Sequence, residues 1–541
     1  MRYKGVAALL ALAGGLVTVP AASATPAALG GAGVVLPNLD DDARRCHVTD
    51  EQMDALGAAV DAELAACHDA ADEAVNGRAD EKDLARLRAH ATTSGRVTVE
   101  GRAHVFVRRD NRWEPAGELS AKELRRGVDL GVEATDVRRP DWDGRVTVTL
   151  TSAGRSVSHR LTVAPLLLQH DLQRATTVFA ARPGDGPGHP DGWTWPGGWE
   201  PHDWTSFSGG LEAAGAPMRY VTGTGTWWQD VWWQDLFEPA YAKANGQTMR
   251  FAIRSANIWD VDGVRTPRPA GRAVFRDLRG PDVAVVQELV DDGRDALTDL
   301  RNATGNIESL PPYRGFPNGR LVYGSDPAGA MTPDPAFIGL FTSQGQQPPV
   351  VVDTSWLMVG HADETTHVVK ARNARGWTIM VADPRLALAT LRAAQADGHG
   401  DARFTGARAT STIDEVLADP KALADNETAA RHIDDQLSVL LAETGLRHDE
   451  LVRVPVLFTA PEQLGGLFVA ATPGIPNGLS VDAHTFAAPD PHAPVVDGRD
   501  LFKAVTERAL RGVDVHWVED IGWAHLGGGE VHCTTNAWRA V

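Results

Sequence analysis

The sequence predicts an α/β protein of several domains, in which a small β-sandwich stands ahead of a large region of mixed strands and helices. Three successive hydrophobic patterns predict it. Apolar side chains recur at helical intervals between Asp40 and Ala91, alternate between Arg96 and Val163, and from Ala164 onward form short runs interleaved with helical stretches. At 541 residues the chain is too long for one hydrophobic core. A formal net charge of −19 argues against nucleic acid as a partner, since phosphates require Lys and Arg to neutralise them; it suits cationic substrates instead.

Residues 1–24 read as a signal peptide. Arg2 and Lys4 supply the positive start, Val6 to Val19 the apolar stretch and Ala22-Ser23-Ala24 the cleavage site, so the chain is expected to be secreted, with a mature start near Thr25. Gly14-Gly15 interrupts the stretch and no later apolar run is long enough to span a bilayer, so no membrane attachment is expected after cleavage. Residues 25–39 read as a linker rich in Thr, Pro, Ala and Gly. Residues 40–91 read as a helical segment, with Met53, Leu56, Val60 and Leu64 at helical intervals and Leu84 and Leu87 continuing them. Cys46 and Cys67 flank the first of these helices. In an exported chain they are expected to pair, the alternative being two buried thiols, and pairing leaves Cys533 unmatched. Residues 92–163 read as the sandwich: runs beginning at Arg96, Ala103, Val128, Arg145 and Ser158 alternate like half-buried strands, separated by turns such as Asp110-Asn111 and Asp141–Gly144.

The remaining region, 164–541, offers strands at Thr177–Ala180, Val283–Gln287, Arg320–Tyr323, Val350–Asp353, Thr378–Ala382, Leu467–Val469 and Val513–Val518, with helices at Pro384–Ala396 and Glu427–Thr444. No glycine-rich phosphate loop follows a strand, and no Cys/His metal spacing occurs. Tryptophans crowd into Trp193–Trp204 and Trp227–Trp233, and Trp-Trp-Gln-Asp occurs twice, at Trp227–Asp230 and Trp232–Asp235. Cys533, one of three cysteines, follows a triglycine and His532. Trp356–Val359 reads as a strand whose end carries His361 and Asp363 on one side, an acid/base platform. With Asp235 as a second carboxylate, these residues make a site for a cation attacked at carbon.

Gly529-Glu-Val-His-Cys-Thr-Thr-Asn536, Trp356-Leu-Met-Val-Gly-His-Ala-Asp-Glu364 and Trp232-Trp-Gln-Asp-Leu-Phe-Glu238 resemble the three active-site motifs of the protein-arginine deiminases. Supporting matches include Gly280-Pro281-Asp282, Gly305–Glu308 and Gly319–Gly324. Over about Val163 to Arg539 the resemblance implies a guanidine-modifying α/β-propeller, preceded by an immunoglobulin-like domain that agrees with the strands before Val163. It implies Cys533 as nucleophile, His361 as acid and base, Asp235 and Asp363 as the grip on a guanidinium, and Trp232 as an apolar wall along the substrate's methylenes. Asp235 is preferred to its twin Asp230 because Glu238 and Tyr241 complete the motif behind it. The implied reaction turns arginine in a peptide or protein into citrulline and ammonia through a covalent thiouronium. Free arginine, agmatine or another small guanidine is the alternative substrate, and a non-catalytic secreted guanidinium-binding protein is the alternative of another class. One calcium site of the family maps onto Gln234, Glu238 and Glu308, an oxygen-only set suited to Ca2+. A second is interrupted by Leu236 and Arg254.

Overall fold

A computed structural model describes residues 27–182, 201–222, 230–291, 293–294, 299–329, 332–406 and 411–541. The expected signal peptide, and the tryptophans at 193, 195, 199, 227 and 228, lie outside the described residues.

Residues 28–163 build two five-stranded sheets. One runs Ala28–Gly31, Ala85–His90, Val128–Ala134, Ala103–Arg109, Arg112–Pro115; the other runs Val34–Val35, Arg155–Val163, Arg145–Ser152, Gly95–Glu100, Glu118–Leu119. Alternate side chains of both, among them Leu87, Leu130, Val148 and Leu161, share one apolar core. Two readings need correction here. Residues 27–39 of the expected linker are part of the fold, because Val35 is buried in that core and Leu29 packs against it. Ala85–His90 is a strand, not helix: Arg86 and Arg88 are exposed between buried Ala85, Leu87 and Ala89, a period of two that the Leu84/Leu87 spacing concealed. The rest of 40–91 forms only short helices, Asp50–Asp54, Ala59–Ala65 and Asp80–Asp83. Met53 and Leu64 are buried, whereas Leu56 is exposed.

Cys46 and Cys67 are bridged, and Cys533 is free. The bridged segment docks on the larger region through buried charge. Arg272 pairs with both oxygens of Asp61, and Arg254 joins the same carboxylate. Arg279 donates to the carbonyls of Leu64 and Cys67.

Among the described residues from 167 on, five sheets share a three-stranded unit, an antiparallel pair extended by a parallel strand; in the first, Leu167–Leu168 adds a fourth strand, antiparallel to Phe237–Ala244. In chain order these are Phe237–Ala244, Gln247–Arg254 and Val283–Val286; Ile307–Leu310, Arg320–Ser325 and Val350–Asp353; Thr366–Lys370, Trp377–Ala382 and Val452–Val454; and Leu479–Asp482, Thr485–Pro489 and Asp514–Val518. In the fifth, Ala175–Ala181 pairs antiparallel with Asn536–Arg539 and parallel with Met218–Val221. This sheet anchors the segment just after Cys533 to the start of the region. The helix Pro384–Ala396 forms as expected, with Asp383 capping the Leu386 N–H, and the next long helix begins earlier than expected, at Pro420. Trp356–Val359 is not a strand; only Leu357 makes a single bridge, to Phe468.

Candidate active site

Asp235 arrives on a single 3-10 turn, Trp233–Asp235, just ahead of the strand Phe237–Ala244. The turn is tied to the cysteine's segment: the Gln234 N–H donates to the Cys533 carbonyl at 3.1 Å, and Asn536 Nδ2 donates to the carbonyls of Trp233 and Phe237. Arg268 Nη1 donates to Asp235 Oδ2 at 2.8 Å, while Asp235 Oδ1 is buried without a hydrogen-bond partner and faces His361 Nδ1 at 3.7 Å.

His361 and Asp363 come from the turn Ala362–Glu364, with His361 at its N-terminal boundary, and not from a strand end. The Glu364 carboxylate accepts the N–H groups of Gly360 and His361, which fixes the approach to the turn. His361 Nε2 lies 2.9 Å from the Leu300 carbonyl. A carbonyl only accepts, so Nε2 carries the proton there and Nδ1 is the ring atom left facing Asp235. Asp363 Oδ2 accepts from Asn477 Nδ2 at 2.7 Å and His532 Nδ1 at 2.8 Å, whereas its Oδ1 has no partner. Burial works against a charged His532, but the bond to Asp363 and the nearby Glu308 outweigh it and push the imidazole up to about 9.

Cys533 is 6% exposed and lies in the wall of a cavity of about 310 Å³ with Glu364, Asn477 and the triglycine Gly527–Gly529. Asn477 Oδ1 accepts the Cys533 N–H. Only glycine fits at 529, where a Cβ would stand 2.5 Å from the Trp232 ring and 3.1 Å from the Cys533 sulfur. Burial, then the charges of Asp363 and Asp235, push the thiol well above its ordinary range. A cation seated between those carboxylates would offset the last two contributions.

Each carboxylate thus commits Oδ2 to an internal cation and leaves Oδ1 bare. Buried polar atoms are ordinarily bonded, so Asp235 Oδ1, Asp363 Oδ1 and His361 Nδ1 mark a place for a donor-rich planar ligand. The residues brought together are those expected from the sequence: Asp235, His361, Asp363, Cys533 and Trp232. Asn477, His532 and Arg268 were not expected. Asn477 lies in Pro476-Asn477-Gly478, which reads as an ordinary turn.

A protein-family profile described as protein-arginine deiminase (PAD) matches residues 156–541. The chain belongs to the protein-arginine deiminase family. Mouse protein-arginine deiminase type-4 is 30% identical over 289 residues, covering 51% of this chain and 43% of the relative. Human protein-arginine deiminase type-1 is 28% identical over 288 residues, covering 51% and 42%. The chain therefore spans less than half the length of these curated relatives. Among solved structures, an agmatine deiminase of Enterococcus faecalis aligns with a TM-score of 0.41 and 12% identity, over 69% of this chain and 96% of that one. The five residues expected of a protein-arginine deiminase site all fall inside the matched span.

Two oxygen-rich clusters among the described residues bear on metal binding. Gln234, Glu238 and Glu308 line one small cavity with Asp171, His532 and Arg539. Burial pushes Glu238 and Glu308 well above the carboxylate range, and Glu308 Oε1 has no partner. This set fits a hard cation. In the other cluster, oxygens of Asp40, Asp42 and Asp83 lie within 4.8 Å of one another. Burial, followed by repulsion from surrounding carboxylates (Asp42 and Asp83 on Asp40, Asp42 and Asp282 on Asp83, Asp69 and Asp282 on Asp42), pushes Asp40 up to about 9, Asp83 to about 8 and Asp42 to about 6. Asp40 Oδ1, Asp42 Oδ2 and Asn38 Oδ1 are unbonded. At the interrupted position of the family's second calcium pattern, Arg254 turns its guanidinium to Asp61.

Proposed function

We propose that this protein is a secreted protein-arginine deiminase, hydrolysing the guanidinium of arginine in peptides or proteins to citrulline and ammonia. Family membership supports the reaction class, and the observation that carries the reading is the pair of bare carboxylate oxygens, Asp235 Oδ1 and Asp363 Oδ1, in whose field the Cys533 thiol lies. A guanidinium keeps its proton at ordinary pH and offers N–H pairs on separate edges, so the two oxygens take one cation and fix its central carbon before the sulfur. Trp232 lies along the methylenes. The bound cation favours thiolate at Cys533, which attacks the central carbon to give a tetrahedral adduct. His361 Nδ1, carrying a proton, passes it to the departing ammonia, leaving a thiouronium on sulfur. The same atom then takes a proton from water attacking that carbon, and collapse releases citrulline and the thiol.

In this reading the five sheets of common connectivity are the modules of an α/β-propeller, and the two-sheet unit before them is an immunoglobulin-like domain. Gln234, Glu238 and Glu308 would hold Ca2+, whose fixed positive charge would neutralise two buried carboxylates beside the Asp235 turn. The leader-like residues 1–24 and the Cys46–Cys67 bridge support export to an oxidising compartment.

Citrulline and ammonia measured with a blocked arginine ester, an arginine-containing protein and free arginine test the proposal. Wild type should act on the first two, and Cys533→Ala on none. Turnover surviving in Cys533→Ala sinks the mechanism; turnover of free arginine alone sinks the peptidyl assignment.

A further inference from the structure

The doubled Trp-Trp-Gln-Asp leaves its first aspartate unexplained. Asp230 is buried, and it receives the Nε and Nη2 edge of Arg268 through two bonds of 2.6 Å. The remaining nitrogen, Nη1, makes the single 2.8 Å bond to Asp235 Oδ2. Trp259 covers a face of the same guanidinium at 4.8 Å. Arg268 is itself 2% exposed, its carbonyl accepts from Arg254 Nη2 at 3.1 Å, and burial is outweighed by Asp230 and Asp235 so that it stays charged.

A guanidinium beside a carboxylate pairs with both oxygens when it can. Here it does not: Asp230 takes the Nε/Nη2 edge, and Nη1 alone reaches Asp235, through one oxygen. We infer that Asp230 and Arg268 are positioning residues for the deiminase reaction: Asp230 turns the fork of Arg268 away, so that this internal arginine orients Asp235 through one oxygen and leaves the other for the substrate arginine. The inference rests on the proposed function. It gives the two aspartates separate tasks, Asp235 gripping the substrate and Asp230 restraining an internal look-alike of it.

Steady-state kinetics on a blocked arginine ester, resolved into kcat and KM and accompanied by thermal melts, test it. In Asp230→Asn, Arg268 loses its bidentate partner and can pair with both oxygens of Asp235, in competition with the substrate. KM should then rise about tenfold or more while kcat stays within about threefold. Arg268→Gln in that background removes the competitor and, with it, the cation partner of Asp235 Oδ2. In the double variant KM should fall back toward wild type and kcat should drop, because Asp235 is no longer oriented. Arg268→Lys, which keeps the charge without the fork, should retain more kcat than the double variant. A merely structural role would lower kcat and stability together and leave the double variant no better in KM than the single one; that result overturns the inference. So does an Asp230→Asn enzyme with wild-type KM and kcat. An inactive wild type fails the proposed function itself, which is a separate outcome.

Discussion

Gly305→Ala is the sharpest local test of the site. Gly305 lies on the turn Thr304–Asn306 with a φ that other residues can adopt, so alanine brings no backbone strain. Its Cβ, however, would stand 2.7 Å from His361 Nδ1 and closer still to Asp235 Oδ1. Ordinary van der Waals contact begins at 3.4 Å, so His361 must yield by about 0.7 Å, and Asp235 by more. The turn cannot retreat, because Thr304 Oγ1 donates to the Gln234 carbonyl and Asn306 exchanges two hydrogen bonds with Gly324. Misplacing reacting groups by about 1 Å costs on the order of 10²-fold in rate, or about 2.7 kcal/mol of transition-state stabilisation. Overpacking should cost about 1–3 kcal/mol in stability. The expected result is therefore a folded protein with kcat/KM for the blocked ester down about 10²-fold. Gly209→Ala, where a Cβ meets nothing within 4 Å, is the control and should be near neutral. Gly305→Ala activity within about threefold of wild type would refute the placement of Asp235 Oδ1 and His361 Nδ1 at the reacting centre.

Two further outcomes follow from buried charge. Asp61→Asn leaves Arg254 and Arg272 without their shared carboxylate and should destabilise by about 3–5 kcal/mol in urea melts; a loss under about 1 kcal/mol would contradict the docking described. Asp40 and Asp83 titrate higher in the fold than in the unfolded chain, so above about pH 4 the native state binds more protons and stability falls as pH rises toward about 8 to 9. Thermal melts from about pH 5 to 6.5, where His68, His170 and His367, held at about 4 by burial, contribute an opposing rise, should show stability falling more steeply, or rising less, with pH in EDTA than with excess calcium. Identical slopes would remove that cluster as a metal site.

Much of the site was legible because its residues sit in contiguous motifs. Cys533, His361, Asp363 and Asp235 could be named because their motifs resemble those of the protein-arginine deiminases, and Val128–Ala134 from its alternation. What escaped was set by contacts between distant segments. Arg268 reaches Asp235 from a turn whose sequence carries no reactive pattern. Asn477 looks like turn chemistry, although its amide bonds both Asp363 and the Cys533 backbone. Asn38-Leu-Asp40-Asp-Asp42 shows its oxygens locally, but the approach of Asp83 depends on the short helix Asp80–Asp83 folding against it. The Leu84/Leu87 pair misled because a separation of three suits a helix face, while the arginines between buried Ala85, Leu87 and Ala89 already marked a strand.

The pairing of Ala175–Ala181 with Asn536–Arg539 has a thermodynamic consequence. It joins positions more than 350 residues apart, and closing such a span has an entropic cost that the contacts of the closed sheet must offset. Where that pairing opens, the sulfur loses the anchor that keeps it beside the acids that would hold a substrate. On gentle heating or dilute denaturant, turnover should vanish while most helices and the two-sheet unit still give native spectra.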